Sequence, residues 1–515
     1  MLKFKNILYG LFCFSLLILL ISCSHECEIS DKTISEFNDY LNDQIPGWID
    51  YYNIPGVAVG LIQNGKPVWS KAYGYINREQ TAPVTTDTYY RAESMTKSIT
   101  AWAVMILAEQ EKINLNHPVE DYLNRWEFPD SAFDTNGVTI RRLLSHSAGM
   151  TFSIFSDFEM DDTADPQKKI LNQLAEKQAI IEKEPGKEFI YSNPGYVVLE
   201  LLIEEVSGET YIDFVKENIL RPLGMHQSGF TLTPEIKNNS VTGYLFDGQP
   251  VPLNPEPIYA HGGLFTTVDD FLLFVAAGIR DNPDGLKILS SQFINMMHSS
   301  ELKTQGFYAL GTDSIGLGHF IEDGGNSHNL VSHGGQGAGW IAWYYIIPES
   351  GDGIVMFTNS EVSWRLITHI LNSWSAWLEI SPPKLSSTFS KITAVLWSFI
   401  VISVLITLFY TSRILYHLRT GQRTFKVFSP GLIKKQILGF ISGFLLLILA
   451  WHMSQIYLIA GMFPVISKWL TVALKFLGVV ILCNFLLPKN TNGENNDIYE
   501  STPLKLTGKT ASTDN

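Results

Sequence analysis

The chain has 515 residues and a formal net charge of −14, from 37 Lys and Arg against 51 Asp and Glu. That balance excludes nucleic acid as a partner, because phosphate binding needs a basic face. The four cysteines are Cys13, Cys23, Cys27 and Cys483, so residues 32–380 hold no disulfide, thiolate nucleophile or cysteine metal site. The histidines show no metal-binding spacing either, and neither a metal nor a cofactor is expected.

Residues 1–22 read as an export signal. Lys3 and Lys5 precede an apolar stretch from Ile7 to Ile21, which is short for a bilayer span of about 20 residues. It ends in Leu20-Ile21-Ser22-Cys23, which resembles a bacterial lipobox with Cys23 as the lipidated residue. An uncleaved signal anchor is the alternative. Under either, the next domain is exported.

Residues 32–380 mix apolar runs, charges, Gly and Pro, and form a block large enough to bury a substantial core. A helix is expected over Ile34–Tyr52. Next comes a hairpin, Val57–Ile62 and Pro67–Tyr73, joined through Asn64-Gly65, where both residues tolerate positive φ. From Ser94 to about Gln110 the sequence is apolar on nearly every face, as in a helix buried in the centre of a domain. Residues 115–225 read mostly as helix and loop. A second hairpin, Trp340–Ile347 and Gly353–Thr358, is followed by a helix over Ser363–Leu378. Strands at both ends with helices between them predict a sheet assembled from the two chain ends, with an inserted helical lobe.

Ser94-Met95-Thr96-Lys97 places a hydroxyl at the start of the buried helix and an amine one turn on, on the same face. A buried Lys with a depressed pKa can take the serine proton, and a helix N-terminus offers N–H groups to a developing oxyanion. Ser300–Lys303 and Ser381–Lys384 repeat the spacing, the first on a polar stretch and the second beside Pro382-Pro383. Only Ser94 has a buried helix behind it. Among the Tyr-x-Asn strings, Tyr191-Ser192-Asn193 stands out through its longer context Pro185–Asn193. His-Gly-Gly occurs at His261 and His333. The first runs into Thr267-Val268-Asp269-Asp270-Phe271, a capped helix, and reads as structural. The second runs into the strand from Trp340, where two glycines allow a substrate backbone to lie close. His146 and Ser147 read as packing residues. A Gly-x-Ser-x-Gly elbow is absent from the sequence.

Ser94-x-x-Lys97, Tyr191-Ser192-Asn193 and His333-Gly334-Gly335, in that order, resemble the three motifs of the serine β-lactamase and penicillin-binding protein superfamily. Leu143–Gly149, Arg221–Met225 and Gly262-Gly263 are similar to strings of class C β-lactamase relatives. The resemblance covers about residues 35–380. It implies an α/β (α+β) fold, an antiparallel sheet flanked by helices plus an all-helical lobe, with the active site between them. It also implies acyl-enzyme chemistry on Ser94, with Lys97 and Tyr191 exchanging the proton. Asn193, His333, Gly334, Gly335 and Gln336 would bind substrate, the oxyanion meeting the N–H groups of Ser94 and Gln336. One departure is that His333-Gly334-Gly335 stands where β-lactamases usually have Lys-Thr-Gly, which disfavours β-lactam recognition. The expected substrate is a peptide, amide or ester, with cell-wall material among the candidates. The alternative is a sensor or scaffold that acylates without turning over.

Beyond residue 390 the composition becomes strongly apolar. Spans are expected at 392–410, 437–457 and 466–487. The loop between the first two carries Arg413, Arg419, Arg423, Lys426, Lys434 and Lys435 and no acidic residue. By the positive-inside rule it is cytoplasmic, which places residues 24–391 outside the cytoplasm. Residues 488–515, rich in Asn, Thr and Ser, are expected to be a disordered cytoplasmic tail.

Overall fold

The computed structural model describes residues 32–152, 171, 174, 179–254, 259–279, 288–423, 433–453 and 455–487. The expectations for the export signal, Cys23 and the tail lie outside these residues. The chain divides into two compact units, one holding residues up to Val395 together with Ile456–Val465, the other Leu396–Gln455 and Ile466 onward.

In the first unit, α1 (Ile34–Tyr52) opens with a capping box. Thr33 Oγ1 accepts the Glu36 N–H while the Glu36 carboxylate accepts the Thr33 N–H. The hairpin follows as β1 (Gly56–Gln63) and β2 (Lys66–Gly74), with Asn64 at φ 51° and Gly65 at φ 75°. α2 (Thr96–Glu109) is buried along nearly its whole length, and α3 (Asn193–Ser207) and α4 (Val268–Ala277) are likewise mostly buried. The other strands of the main sheet are β3 (Leu302–Lys303), β4 (Ser314–Ile315), β5 (Phe320–Asp323), β6 (Asn329–Gly337), β7 (Trp340–Ile347) and β8 (Asp352–Thr358). They form one antiparallel sheet in the order β2-β1-β8-β7-β6-β5-β4-β3. The two chain ends meet where β1 pairs with β8, Val57 opposite Thr358, as the sequence reading expected.

β1 is buried on both faces because helices cover it on both sides. Gly60 fits beneath α4 only because it lacks a side chain: a Cβ there would lie 2.4 Å from Leu272 Cδ1. α5 (Trp364–Trp377) packs beside α1, with Phe37 and Trp377 stacked at 4.6 Å. Along β7 the alternation of side chains serves both faces. Tyr344 bonds Ser98 of α2 at 2.8 Å, while Trp343 and Tyr345 meet Trp364 and Trp374 of α5. β6 pairs with β5 only over Asn329–Ser332, so His333–Gly337 continues past its neighbour on that side.

The apolar tail forms three helices long and apolar enough to cross a membrane, α6 (Lys384–Arg419), α7 (Ile433–Met453) and α8 (Pro464–Leu486). The first twelve residues of α6 belong to the first unit. Within the second unit, α7 and α8 approach closely at Gly443 and Gly478, where an added Cβ on either would come within 3.0 Å of the other's carbonyl oxygen. Small residues at such crossings let helices meet without a hydrophobic driving force. The expected span 437–457 is shifted: α7 ends at Met453, and Tyr457 lies in the segment 456–465 that belongs to the first unit. Apolarity alone did not mark that boundary, because 456–465 is nearly as apolar as the helix before it.

Candidate active site

Ser94 sits two residues before the helix that the sequence reading started at it. Residues Glu93–Met95 form a 3₁₀ turn and α2 begins at Thr96. Glu93, immediately before Ser94, has φ 49°, which stops α-helical geometry from reaching further back along the chain. A left-handed non-glycine residue is costly and recurs where a side chain must be presented at a fixed angle. Glu93 is held by Arg91, whose Nε lies 2.8 Å from Oε1.

Lys97, one turn on, is fully buried, and its Nζ lies 3.0 Å from Ser94 Oγ and 2.7 Å from the His261 carbonyl oxygen. Burial drives its pKa well below the usual lysine value, against the weaker opposing pull of Glu93. The amine is therefore able to be neutral near Ser94. Tyr191 is hydrogen-bonded through its side chain to Ser94, and its ring centroid is 5.1 Å from Lys97 Nζ. Burial raises the phenol pKa, so Tyr191 remains protonated. Ser192 caps α3 by accepting the Gly195 N–H, which fixes Tyr191 just ahead of the helix and makes Asn193 its first residue.

His333 on β6 is buried, and loss of solvation, aided by Lys97, pushes its pKa down to about 3. A neutral imidazole cannot replace the charge of the usual Lys. The two glycines also serve the protein's own packing. A Cβ on Gly334 would lie 2.2 Å from Trp343 Cζ3, and one on Gly335 would lie 2.2 Å from the Ala92 carbonyl oxygen. The protein itself occupies the space that a side chain at either position would take.

Ser94, Tyr191, His333, Gly334, Gly335 and Gln336 line one cavity of about 160 Å³. Lys97 lies beneath Ser94, and Asn193 is buried at the head of α3. The two other Ser-x-x-Lys strings stay apart: Ser300 and Ser381 are exposed, Lys303 lies in β3, and Lys384 pairs with Asp313 at 2.6 Å.

Several residues serve this site without having been marked by the sequence. His146 lies 4.2 Å from the Tyr191 ring, and its Nδ1 accepts the Ser192 N–H at 3.1 Å. It supports the second motif directly, beyond generic packing. Glu200 of α3 accepts the N–H groups of Tyr259 and Ala260 at 2.9 and 2.7 Å, fixing the loop whose next carbonyl, that of His261, holds Lys97. The first His-Gly-Gly thus contributes a backbone oxygen to the site. Tyr308 stacks on Tyr191 at 4.8 Å and Phe320 contacts His333 at 5.1 Å. Tyr457 accepts hydrogen bonds from Gln336 Nε2 at 2.6 Å and Trp364 Nε1 at 2.9 Å.

A serine beside a buried lysine and a tyrosine, between a helical lobe and an antiparallel sheet, is the arrangement of the serine β-lactamase and penicillin-binding protein class. The Beta-lactamase family model matches residues 31–370, and the chain belongs to that family. The Protein flp of Staphylococcus aureus (strain COL) is 27% identical over 332 residues, 62% of each chain. The Unguisins hydrolase ungD' of Aspergillus campestris is 26% identical over 361 residues, 65% of this chain and 64% of that one. The match thus spans less than two thirds of these relatives' length. Among solved structures, the octameric penicillin-binding protein homologue from Pyrococcus abyssi is 28% identical with a TM-score of 0.56, covering 68% of this chain and 78% of that one. A class C β-lactamase mutant shares the fold at 21% identity and a TM-score of 0.54, covering 64% of this chain and 94% of that one. Members of the superfamily act on amide and ester bonds.

Proposed function

We propose that the chain is a membrane-anchored, extracytoplasmic serine hydrolase that cleaves an amide, peptide or ester bond through an acyl-enzyme on Ser94. The observation that carries this reading is the buried Lys97 amine 3.0 Å from Ser94 Oγ. A neutral amine at that distance takes the hydroxyl proton as Oγ bonds to the carbonyl carbon. Tyr191, protonated and bonded to Ser94, passes a proton to the leaving group as the scissile bond breaks. Water then attacks the acyl carbon, gives its proton back along the same route, and frees Ser94. The backbone N–H groups of Ser94 and Gln336 are assigned to the oxyanion.

Extracytoplasmic placement is supported by the basic loop after α6. The segment Ile456–Val465, which joins α7 to α8 and belongs to the unit containing Ser94, agrees with α6 and α7 each crossing once. A connection two spans away from a domain lies on that domain's side of the bilayer. Three spans then leave the C-terminus in the cytoplasm.

The test is labelling of the full-length protein with a fluorophosphonate probe. Labelling should disappear in Ser94→Ala and persist in Ser300→Ala and Ser381→Ala. Retained labelling of Ser94→Ala overturns the assignment. Time-resolved mass spectrometry of the acylated protein separates hydrolase from sensor, since a sensor would stay acylated after substrate is exhausted.

A further inference from the structure

The cavity that Ser94 opens into is built partly from chain outside the family match. Leu385, Thr388, Phe389, Ile392, Met462 and Phe463 line it, and all lie beyond residue 370. Four come from the start of α6 and two from the connection between α7 and α8, and all belong to the unit that holds Ser94.

The lining is mainly aromatic and aliphatic. Trp364 stacks on Phe389 at 5.7 Å and Phe389 on Phe463 at 5.1 Å, so the tail segments extend the aromatic wall of β7 and α5. Among the described lining residues there is no Asp, Glu, Lys or Arg. His333 is uncharged there for the reason given above. A substrate group carrying a carboxylate or an ammonium would lose its hydration without gaining a counter-charge, which disfavours it. An alkyl chain has the opposite balance, since each methylene moved from water onto such a wall is favourable.

We propose that this cavity is an acyl-chain subsite, and that the substrate is an ester or amide of an uncharged aliphatic acid, of the kind found in lipid-derived amphiphiles. This rests on the acyl-enzyme reading of Ser94. The chain sits on the acyl side of the scissile bond. That part stays bonded to Ser94 Oγ when the C–O or C–N bond breaks, while the leaving group takes the proton and departs. Hydrolysis of the acyl-enzyme consumes one water and releases the aliphatic acid.

The experiment uses the full-length protein in one non-ionic detergent with 4-nitrophenyl acetate, butanoate and octanoate, each below its micelle-forming concentration. Rates are corrected with Ser94→Ala and scaled to each ester's reaction with hydroxide. With about threefold gained per buried methylene and incomplete burial allowed for, kcat/KM for octanoate should exceed that for acetate by at least roughly 30-fold. Ile392→Trp, which fills the cavity, should reduce the octanoate-to-acetate ratio at least roughly tenfold. Phe463→Ala, which removes one wall, should reduce it less, and either variant suffices if the other fails to fold. Lengthening the alcohol instead, from ethyl to octyl acetate, should give a shallower gain. Ser94-dependent acetate hydrolysis with a flat or falling chain-length series overturns the subsite and leaves the hydrolase reading standing. An unchanged ratio in folded Ile392→Trp, or a steeper gain on the alcohol side, also overturns it. Failure of Ser94 to react with any of these esters removes both.

Discussion

Trp343 occupies the place that a side chain at position 334 would need: an added Cβ would come 2.2, 2.3 and 2.6 Å from three atoms of its ring. The third motif therefore differs from Lys-Thr-Gly by more than a missing hydroxyl. Gly334 and Trp343 are opposite each other on β6 and β7, and each makes sense only with the other. Gly334→Thr is accordingly expected to lower the melting temperature and to give no gain in acylation by penicillin. Overpacking of this kind costs about 1–3 kcal/mol, or more where a backbone must move. Trp343→Ala in the same protein should remove the clash, so that the two changes together cost less than the sum of their separate costs. A stable Gly334→Thr single variant with faster penicillin acylation would show that the ring moves aside freely.

Lys97 gives a prediction in pH. Its folded pKa is depressed by burial, so the neutral amine becomes available below the pH at which an exposed lysine deprotonates. kcat/KM should rise with pH through a single ionisation lying below the ordinary lysine value of 10.5. Lys97→Arg keeps a cation at the position and cannot accept a proton near neutrality. It should lose roughly 10²–10⁴ in kcat/KM and the acid limb with it. A profile unchanged by Lys97→Arg would move the general base elsewhere.

Glu200 connects stability to pH with the opposite sign from most carboxylates. Burial raises its pKa to about 8, the two backbone N–H bonds opposing this only in part. The folded protein then binds a proton that the unfolded chain releases near 4.5. Stability from this group is fully present below about pH 4.5 and is lost as pH rises toward 8. Glu200→Gln accepts the same N–H groups without titrating. The melting-temperature difference, wild type minus Glu200→Gln, should fall between those limits and level off above them. A difference independent of pH would mean that Glu200 is ionised in the fold.

The parts of this molecule that could be read in advance are those whose cause is local. Asn64-Gly65 dictated a hairpin through its backbone freedom, Thr267 a helix start through its cap on Asp270, and the apolar run after Ser94 a central helix. Ser94 and Lys97 are one helical turn apart, so spacing alone brought them together. What was not legible depends on distant partners. Glu200 reaches Lys97 only through the carbonyl of His261, and His146 meets Tyr191 across 45 residues of sequence. Tyr457 looked like the end of a span, and nothing near it in sequence reveals that its hydroxyl meets Gln336.

Topology is the last test. The basic residues between α6 and α7, and the place of Ile456–Val465 within the Ser94 unit, each predict that the two loops lie on opposite sides of the bilayer. Lys434 and Gln455 are both exposed at the ends of α7, so a cysteine at either is open to reagent. With Cys27 and Cys483 replaced by Ser to remove background, Gln455→Cys should react with a membrane-impermeant maleimide in intact cells. Lys434→Cys should react only after permeabilisation. Fast labelling at 434 together with protection at 455 would invert the orientation and put Ser94 on the cytoplasmic side. Labelling at both positions in intact cells would mean that α7 does not cross the membrane.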